Sequence, residues 1–152
     1  MKRREFITLL GGAAVWPLAA GAQQPKQMKR IGVITPFNEN DSESQRRVSA
    51  FRQGLQELGW TDGRNVRFDY RGGAGDPDRI RAYAAEIVRL KPDVILANSA
   101  QILLALQRET RTISIVFVQV DDPVSNGIVS NLAHPGGNIT GFTPAESPMG
   151  GK

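Results

Sequence analysis

Two short runs that are apolar almost without interruption, Val94-Ile95-Leu96-Ala97 and Ile113 to Val118, constrain this chain more than any other feature. A strand with one wet face alternates apolar and polar residues. Continuous runs are too apolar on both faces for an edge and therefore predict interior strands of a parallel sheet flanked by helices. The stretch between the two runs has the helical period instead, with Ile102, Leu103 and Leu106 on one face and Ser99 placed to cap the helix start. Strand, helix and strand in that order make a crossover unit, and the fold class is α/β.

The rest of the chain repeats the pattern. Ile31 to Ile34 is a first buried strand. From Ser44, the residues Val48, Phe51, Leu55 and Leu58 recur every three or four positions, so they predict a helix that stops at Gly59. Val66, Phe68 and Tyr70 alternate with Arg67, Asp69 and Arg71, which marks an edge strand with one wet face. Asp76-Pro77-Asp78 starts a second helix whose inner face is Ile80, Tyr83, Ala84, Ile87 and Val88, and Lys91-Pro92 stops it. After the run ending at Val118, a short helical turn is expected over Val124 to Leu132. Pro135-Gly136-Gly137 then turns the chain into a fifth strand, Ile139 to Phe142.

Right-handed crossovers with the wet strand at the edge give an open, mostly parallel, Rossmann-like sheet of order about 2-1-3-4-5. The winding direction reverses between strands 1 and 3, so a crevice opens at their carboxyl ends, bordered by Thr35 to Asn38 and by Asn98 to Ala100.

Charge says little about partners. The net charge is +4, but Lys2, Arg3 and Arg4 stand in the first four residues. These basic residues precede an apolar stretch from Phe6 to Ala19 and the small residues Ala20-Gly21-Ala22, the layout of an export signal cut before Gln23. Gly11, Gly12 and Pro17 interrupt that stretch, which is too short and too weakly apolar for a membrane anchor. Arg3-Arg4-Glu5-Phe6-Ile7 matches the twin-arginine pattern, although Lys2 and Thr8 depart from its usual flanks. Without residues 1–22 the net charge falls to +2 and basic residues interleave with acids, so no nucleic-acid partner is expected. The chain has no cysteine, which excludes thiol catalysis, cysteine-held zinc and attachment as a lipoprotein. A soluble periplasmic product is the expectation, with residues 23–29 as a polar linker.

Candidate chemistry is sparse. Thr35-Pro36-Phe37-Asn38-Glu39-Asn40 lacks the glycines of a phosphate loop, and no cofactor is expected. Gly72-Gly73-Ala74-Gly75 is read as a flexible turn, and His134 as a solvated loop residue with nothing beside it for a triad or a metal. Asp121 and Asp122 follow strand 4 at the functional edge and could hold a cation or accept a phosphoryl group. The alternative has Asp122 capping the turn that begins at Pro123, with Asp121 solvated. Ser99 and the free N–H groups behind it suit a carboxylate, or Ser99 is a plain cap. Phe37 suits stacking on a ligand or a contact with a lid or second lobe. Asn38 and Asn98 offer hydrogen bonds.

Several blocks together resemble a known family. The signal Arg3 to Ala14, Phe51-Arg52-Gln53-Gly54-Leu55, Gly63-Arg64-Asn65-Val66, Asp122-Pro123-Val124 and Pro135 to Gly141 are similar, in the same order, to substrate-binding proteins of ABC importers related to tryptophan-uptake binding proteins. The resemblance implies a protein that is not an enzyme and that has two α/β lobes closing on a small organic solute, some relatives carrying aromatic amino acids. It implies partners in a small-molecule ligand, an inner-membrane ABC permease and the export machinery. It places the N-terminal lobe at residues 30–143 and a truncated hinge or crossover segment at 144–152, with the second lobe missing. The ligand-binding set expected is Phe37, Asn38, Asn98, Ser99 and Asp122. A small exported α/β hydrolase using Asp121 or Asp122 is the rival reading, and a sensor domain a third.

Overall fold

The structure, a computed structural model, describes residues 27–131 and 133–144. The export signal and the segment 145–152 lie outside the described residues. Five strands, β1 (Lys29–Thr35), β2 (Val66–Gly72), β3 (Val94–Asn98), β4 (Ser114–Val118) and β5 (Ile139–Gly141), form one sheet of order β2-β1-β3-β4-β5. All four pairings are parallel. Three helices connect them: α1 (Ser42–Glu57), α2 (Pro77–Arg89) and α3 (Ala100–Glu109).

Each helix starts where its sequence supplies an acceptor. The Asp41 carboxylate accepts from the Ser44 N–H, Asp76 from those of Asp78 and Arg79, and the Ser99 hydroxyl from that of Ile102. Caps of this kind stabilise a helix by about 1 kcal/mol. Helix α1 begins at Ser42, one half-turn before the apolar periodicity, because the cap sets the start. It ends at the expected place, with Gly59 at φ 90°, a conformation glycine reaches without steric cost.

The main core lies between the sheet and the helices α2 and α3. Ile80, Ala84 and Ile87 of α2 and Ile102, Leu103 and Leu106 of α3 pack on Ile34, Ile95, Ala97, Ile115 and Phe117, all fully buried. Burying each such Ile or Leu contributes roughly 1.5–3 kcal/mol. The close approach of α2 depends on Gly32 in β1, where a Cβ would lie 2.5 Å from Ile87 Cγ2. On the opposite face α1 covers β1 and β2: Phe51 meets Phe68 edge-on at 6.0 Å, and Ser44 bonds Tyr70.

Ion pairs fasten the periphery. Asp93 accepts from the Arg30 N–H at 2.8 Å and from Lys29 Nζ at 3.1 Å, which together hold its carboxyl below the usual range. Arg71 grips Glu86 across to α2 and lowers that carboxyl in the same way.

Two expectations are corrected. Leu58 is not part of the inner face of α1 but its exposed C-terminal cap, 76% accessible, because the last helical residue is Glu57. Val124 to Leu132 is not helical where it is described. Residues 123–127 form a hydrogen-bonded turn in which the Ile128 and Val129 N–H groups both donate to Pro123 O, a geometry that stops helical propagation. β3 and β4 are interior strands, as their apolar runs predict, with Val94, Leu96, Val116 and Val118 half-buried among the described residues on the face away from α2 and α3.

A methyl group at position 32 has no space. Gly32→Ala should therefore lower the unfolding free energy by about 1–3 kcal/mol, the usual cost of overpacking, as read from urea denaturation. Gly54→Ala, where a Cβ meets nothing within 4 Å, should be neutral or stabilising because alanine favours the helix by about 1 kcal/mol.

Candidate functional site

The carboxyl ends of β1 and β3 adjoin. Ile34 pairs with Ala97, so Thr35-Pro36 and Asn98-Ser99 leave the sheet side by side at the point where its winding reverses. The loop after β4 leaves the same edge. This is where a doubly wound sheet presents backbone and helix starts to a ligand.

The crest is built mainly by hydrogen bonds behind it. The Tyr70 hydroxyl lies 2.9 Å from Thr35 Oγ1 and 2.5 Å from Ser44 Oγ, and Thr35 and Ser44 are 6% and 1% exposed. One phenol thus ties β1, β2 and the start of α1 together directly beneath the loop Pro36–Asn40. That loop also packs on the turn after β2. Glu39 turns away from the crevice and its carboxylate accepts from the Gly72 N–H at 3.0 Å. A Cβ on Gly72 would lie 2.6 Å from Phe37 O, and one on Gly73 would collide with Ile80. The glycine run read as a flexible turn is instead a packed one, in which the first two glycines are needed for close approach.

Of the expected site residues, Asn98 and Ser99 stand at the crevice itself. The Asn98 side chain is half-buried and has no hydrogen-bond partner among the described residues. Ser99 accepts from the Ile102 N–H at 3.3 Å, and its carbonyl takes the Leu103 N–H. This satisfies one of the N–H groups that a helix start leaves open, while those of Ala100 and Gln101 have no partner among the described residues. The Ser99 backbone stands at φ 150°, ψ 161°, a region open essentially to glycine alone and costing of order 1–3 kcal/mol.

Asn38 is exposed and its amide oxygen receives the Asn40 N–H at 3.0 Å, so half of its hydrogen-bonding capacity shapes the loop. Phe37 is half-buried with the Arg47 guanidinium 5.2 Å from its ring centre, a cation–π contact that occupies one face of the ring. Asp122 is exposed and accepts from the Ser125 N–H at 3.1 Å. That bond and one to the Ser125 side chain lower its carboxyl below the usual range. It caps the turn beginning at Pro123. Asp121 is exposed beside it, and among the described residues no group of three His, Asp or Glu could hold a metal ion.

Reading the sequence missed Tyr70, Ser44 and Arg47. Tyr70 was assigned to the inner face of its strand, but only packing shows that its hydroxyl reaches the crest; Arg47 gave no signal, because its ring contact crosses from a helix to a loop.

The switch point of this parallel sheet, bordered by neutral polar groups and a helix start, is where lobes of this winding usually hold a ligand. Residues 30–150 match the family of ABC transporter substrate binding proteins, and the chain belongs to that family. It is 33% identical over 116 residues, 76% of its own length, to a tyrosine-binding protein of Clostridioides difficile. A conserved domain protein from Vibrio cholerae has a similar structure, with 31% identity over 77% of this chain and a TM-score of 0.66. So has a ligand-free, open substrate-binding protein with adhesive properties from Clostridium difficile, at 28% identity over 80% and a TM-score of 0.70. An ABC domain from Streptococcus pneumonia in complex with L-Trp shares the fold at 22% identity over 77%, with a TM-score of 0.68. The chain spans 33% of the length of the first and 39%, 40% and 39% of the other three. Proteins of this family bind solutes and are not enzymes, and the hydrolase reading of Asp121 and Asp122 is set aside.

The strained serine makes a paired prediction. Ser99→Ala should lose about 1 kcal/mol with the cap. Ser99→Gly should be at least as stable as the wild type, because relief of about 1–3 kcal/mol of backbone strain outweighs the few tenths that glycine costs at a cap. Thermal unfolding of the two variants measures this, and equal losses in both would leave the strain without support.

Proposed function

We propose that residues 30–143 form the first lobe of an exported binding protein that captures a small zwitterionic or neutral solute, an amino acid by class, for delivery to an inner-membrane permease. The observation that carries this reading is the helix start at Ser99, with two unsatisfied N–H groups at the switch point between β1 and β3. A ligand carboxylate there gains two donors and the field of α3, worth about 0.3–1 kcal/mol. Asn98 and Asn38 hydrogen-bond the ligand, the free face or edge of Phe37 packs on its apolar part, and the ionised Asp122 offers a counter-charge to an ammonium group. The relative named for tyrosine supports an aromatic amino acid. A multivalent anion fits less well, since the two crevice loops supply no cation.

Residues 1–22 are read as the export signal that delivers the mature chain, beginning near Gln23, to the periplasm. Residues 144–152 then begin the hinge towards a second lobe. One lobe contributes one wall, so tight binding belongs to a protein of the relatives' length.

Calorimetry with L-tyrosine on a version of that length should show binding without turnover. Ser99→Ala should weaken it about fivefold, the equivalent of one hydrogen bond of about 1 kcal/mol. Unchanged affinity combined with lower stability would reduce Ser99 to a helix cap. No heat with any proteinogenic amino acid would remove the ligand class.

Export is tested separately. Changing Arg3 and Arg4 to Lys should trap the precursor in the cytoplasm, as shown by fractionation. Normal export of that variant would exclude the twin-arginine route and leave a general secretory signal.

A further inference from the structure

An aromatic ring at the border of a ligand crevice has two common uses. Its electron-rich faces attract a cation, as aromatic cages do for ammonium ligands, and its apolar surface takes up an uncharged group. Phe37 is the ring that the loop after β1 carries, and it stands half-buried. The charges around it decide between the two uses.

One face of the ring is already taken by a cation of the protein. The guanidinium carbon of Arg47 lies 5.2 Å from the Phe37 ring centre. Glu43, one turn earlier on α1, holds that guanidinium in place, since its Oε1 accepts from Arg47 Nε at 3.0 Å. The carboxylate does not cancel the charge, because its Oε2 accepts from Arg46 Nη2 at 2.7 Å. Two guanidiniums share one carboxylate, and the group keeps a positive excess. The loop's own acid, Glu39, is engaged on the β2 side, with the Gly72 N–H and in the field of Arg71. Residue 37 is also held by its backbone, whose carbonyl accepts from the Ala74 N–H at 3.2 Å.

A ring with a cation on one face is a poor receptor for a second. A ligand cation on the free face would sit within about 6 Å of the ring centre, and so about 11 Å from the Arg47 guanidinium carbon. That is close to the Debye length at physiological salt, so the repulsion is weakened but survives across a half-buried ring. An uncharged ring or aliphatic chain on the same face meets no such cost.

We propose that Arg47 sets the specificity of the Phe37 subsite: positive charge on one face of the ring makes the other face a contact for an uncharged side chain and disfavours a cationic one. Arg47 acts through Phe37 and needs no contact with the ligand. The proposal rests on the reading of Phe37 as a ligand-binding residue and narrows its substrate class to amino acids with neutral side chains, the α-ammonium group being left to Asp122.

Competition binding on a protein of the relatives' length tests this with matched pairs that differ by one side-chain ammonium group. These are L-tyrosine with 4-aminomethyl-L-phenylalanine, and L-norleucine with L-lysine. Arg47→Met keeps an unbranched apolar stem and loses the charge. In this variant affinity for the cationic member should rise at least about threefold relative to the neutral one, and more at about 0.01 M than at about 0.3 M salt. Arg47→Lys should hold the wild-type ratio within about twofold, because it restores a cation over the ring. Arg46→Gln should do the same, because Arg46 does not lie over it. Circular dichroism checks folding of each variant. An unchanged ratio in Arg47→Met, with the neutral members still bound, overturns the proposal and leaves the reading of Phe37 standing. An equal shift in Arg46→Gln also overturns it, since the net charge of the surface would then decide and not the ring. Binding of no neutral member in any of the proteins removes the reading itself, and the proposal with it.

Discussion

The handedness of the crossover connections governs nearly everything in this molecule. Because β1 is laid down first and the chain then moves to one side for β2 and to the other for β3, β4 and β5, a single right-handed rule sends α1 to one face and α2 with α3 to the other. The same reversal leaves the carboxyl ends of β1 and β3 without a connection crossing between them. The deep core, the crevice and the half-covered face are three consequences of one topological choice. None can be changed by side chains alone.

Glycine determines how closely these layers meet. Gly32 lets Ile87 press on the backbone of the central strand, and Gly72 and Gly73 let the turn after β2 pack beneath the loop after β1. The crest is therefore not a set of loops hung on a rigid sheet. Phe37 O, Glu39 and Thr35 are all held by β2 or its turn, so the β1 side of the crevice is as firmly placed as the sheet. The β3 side depends on a helix start, and on a serine held in a conformation that suits glycine.

Most of this architecture was legible in the sequence, and the reason is physical. The five strands, the three helices, the strand order and the helix caps at Asp76 and Ser99 follow from periodicity and from acceptors at helix starts, both of which are local; the Asp41 cap of α1 was not read. The errors were of two kinds. Val124 to Leu132 was read as helical because apolar spacing carries no information about a turn that closes on Pro123 O. Leu58 was placed on the inner face of α1 because its spacing fits the helical period, which does not report that the helix has ended at Glu57. In the candidate site, Asn98 and Ser99 were legible because a strand end followed by a capping serine is a local signal. The Arg47 contact on Phe37 and the reach of Tyr70 were not, because each joins elements separated in sequence and fixed only by packing.

The open face and the crevice are connected through β3. This strand holds Leu96 towards the half-covered face and ends one residue before Ser99, whose strained backbone persists only as long as its surroundings over-determine it. On one side those surroundings are complete, with Ile95 and Ala97 sealed under α2 and α3. On the other, water reaches Leu96 and Val94, so local opening of β3 exposes little further apolar surface there and is opposed less strongly.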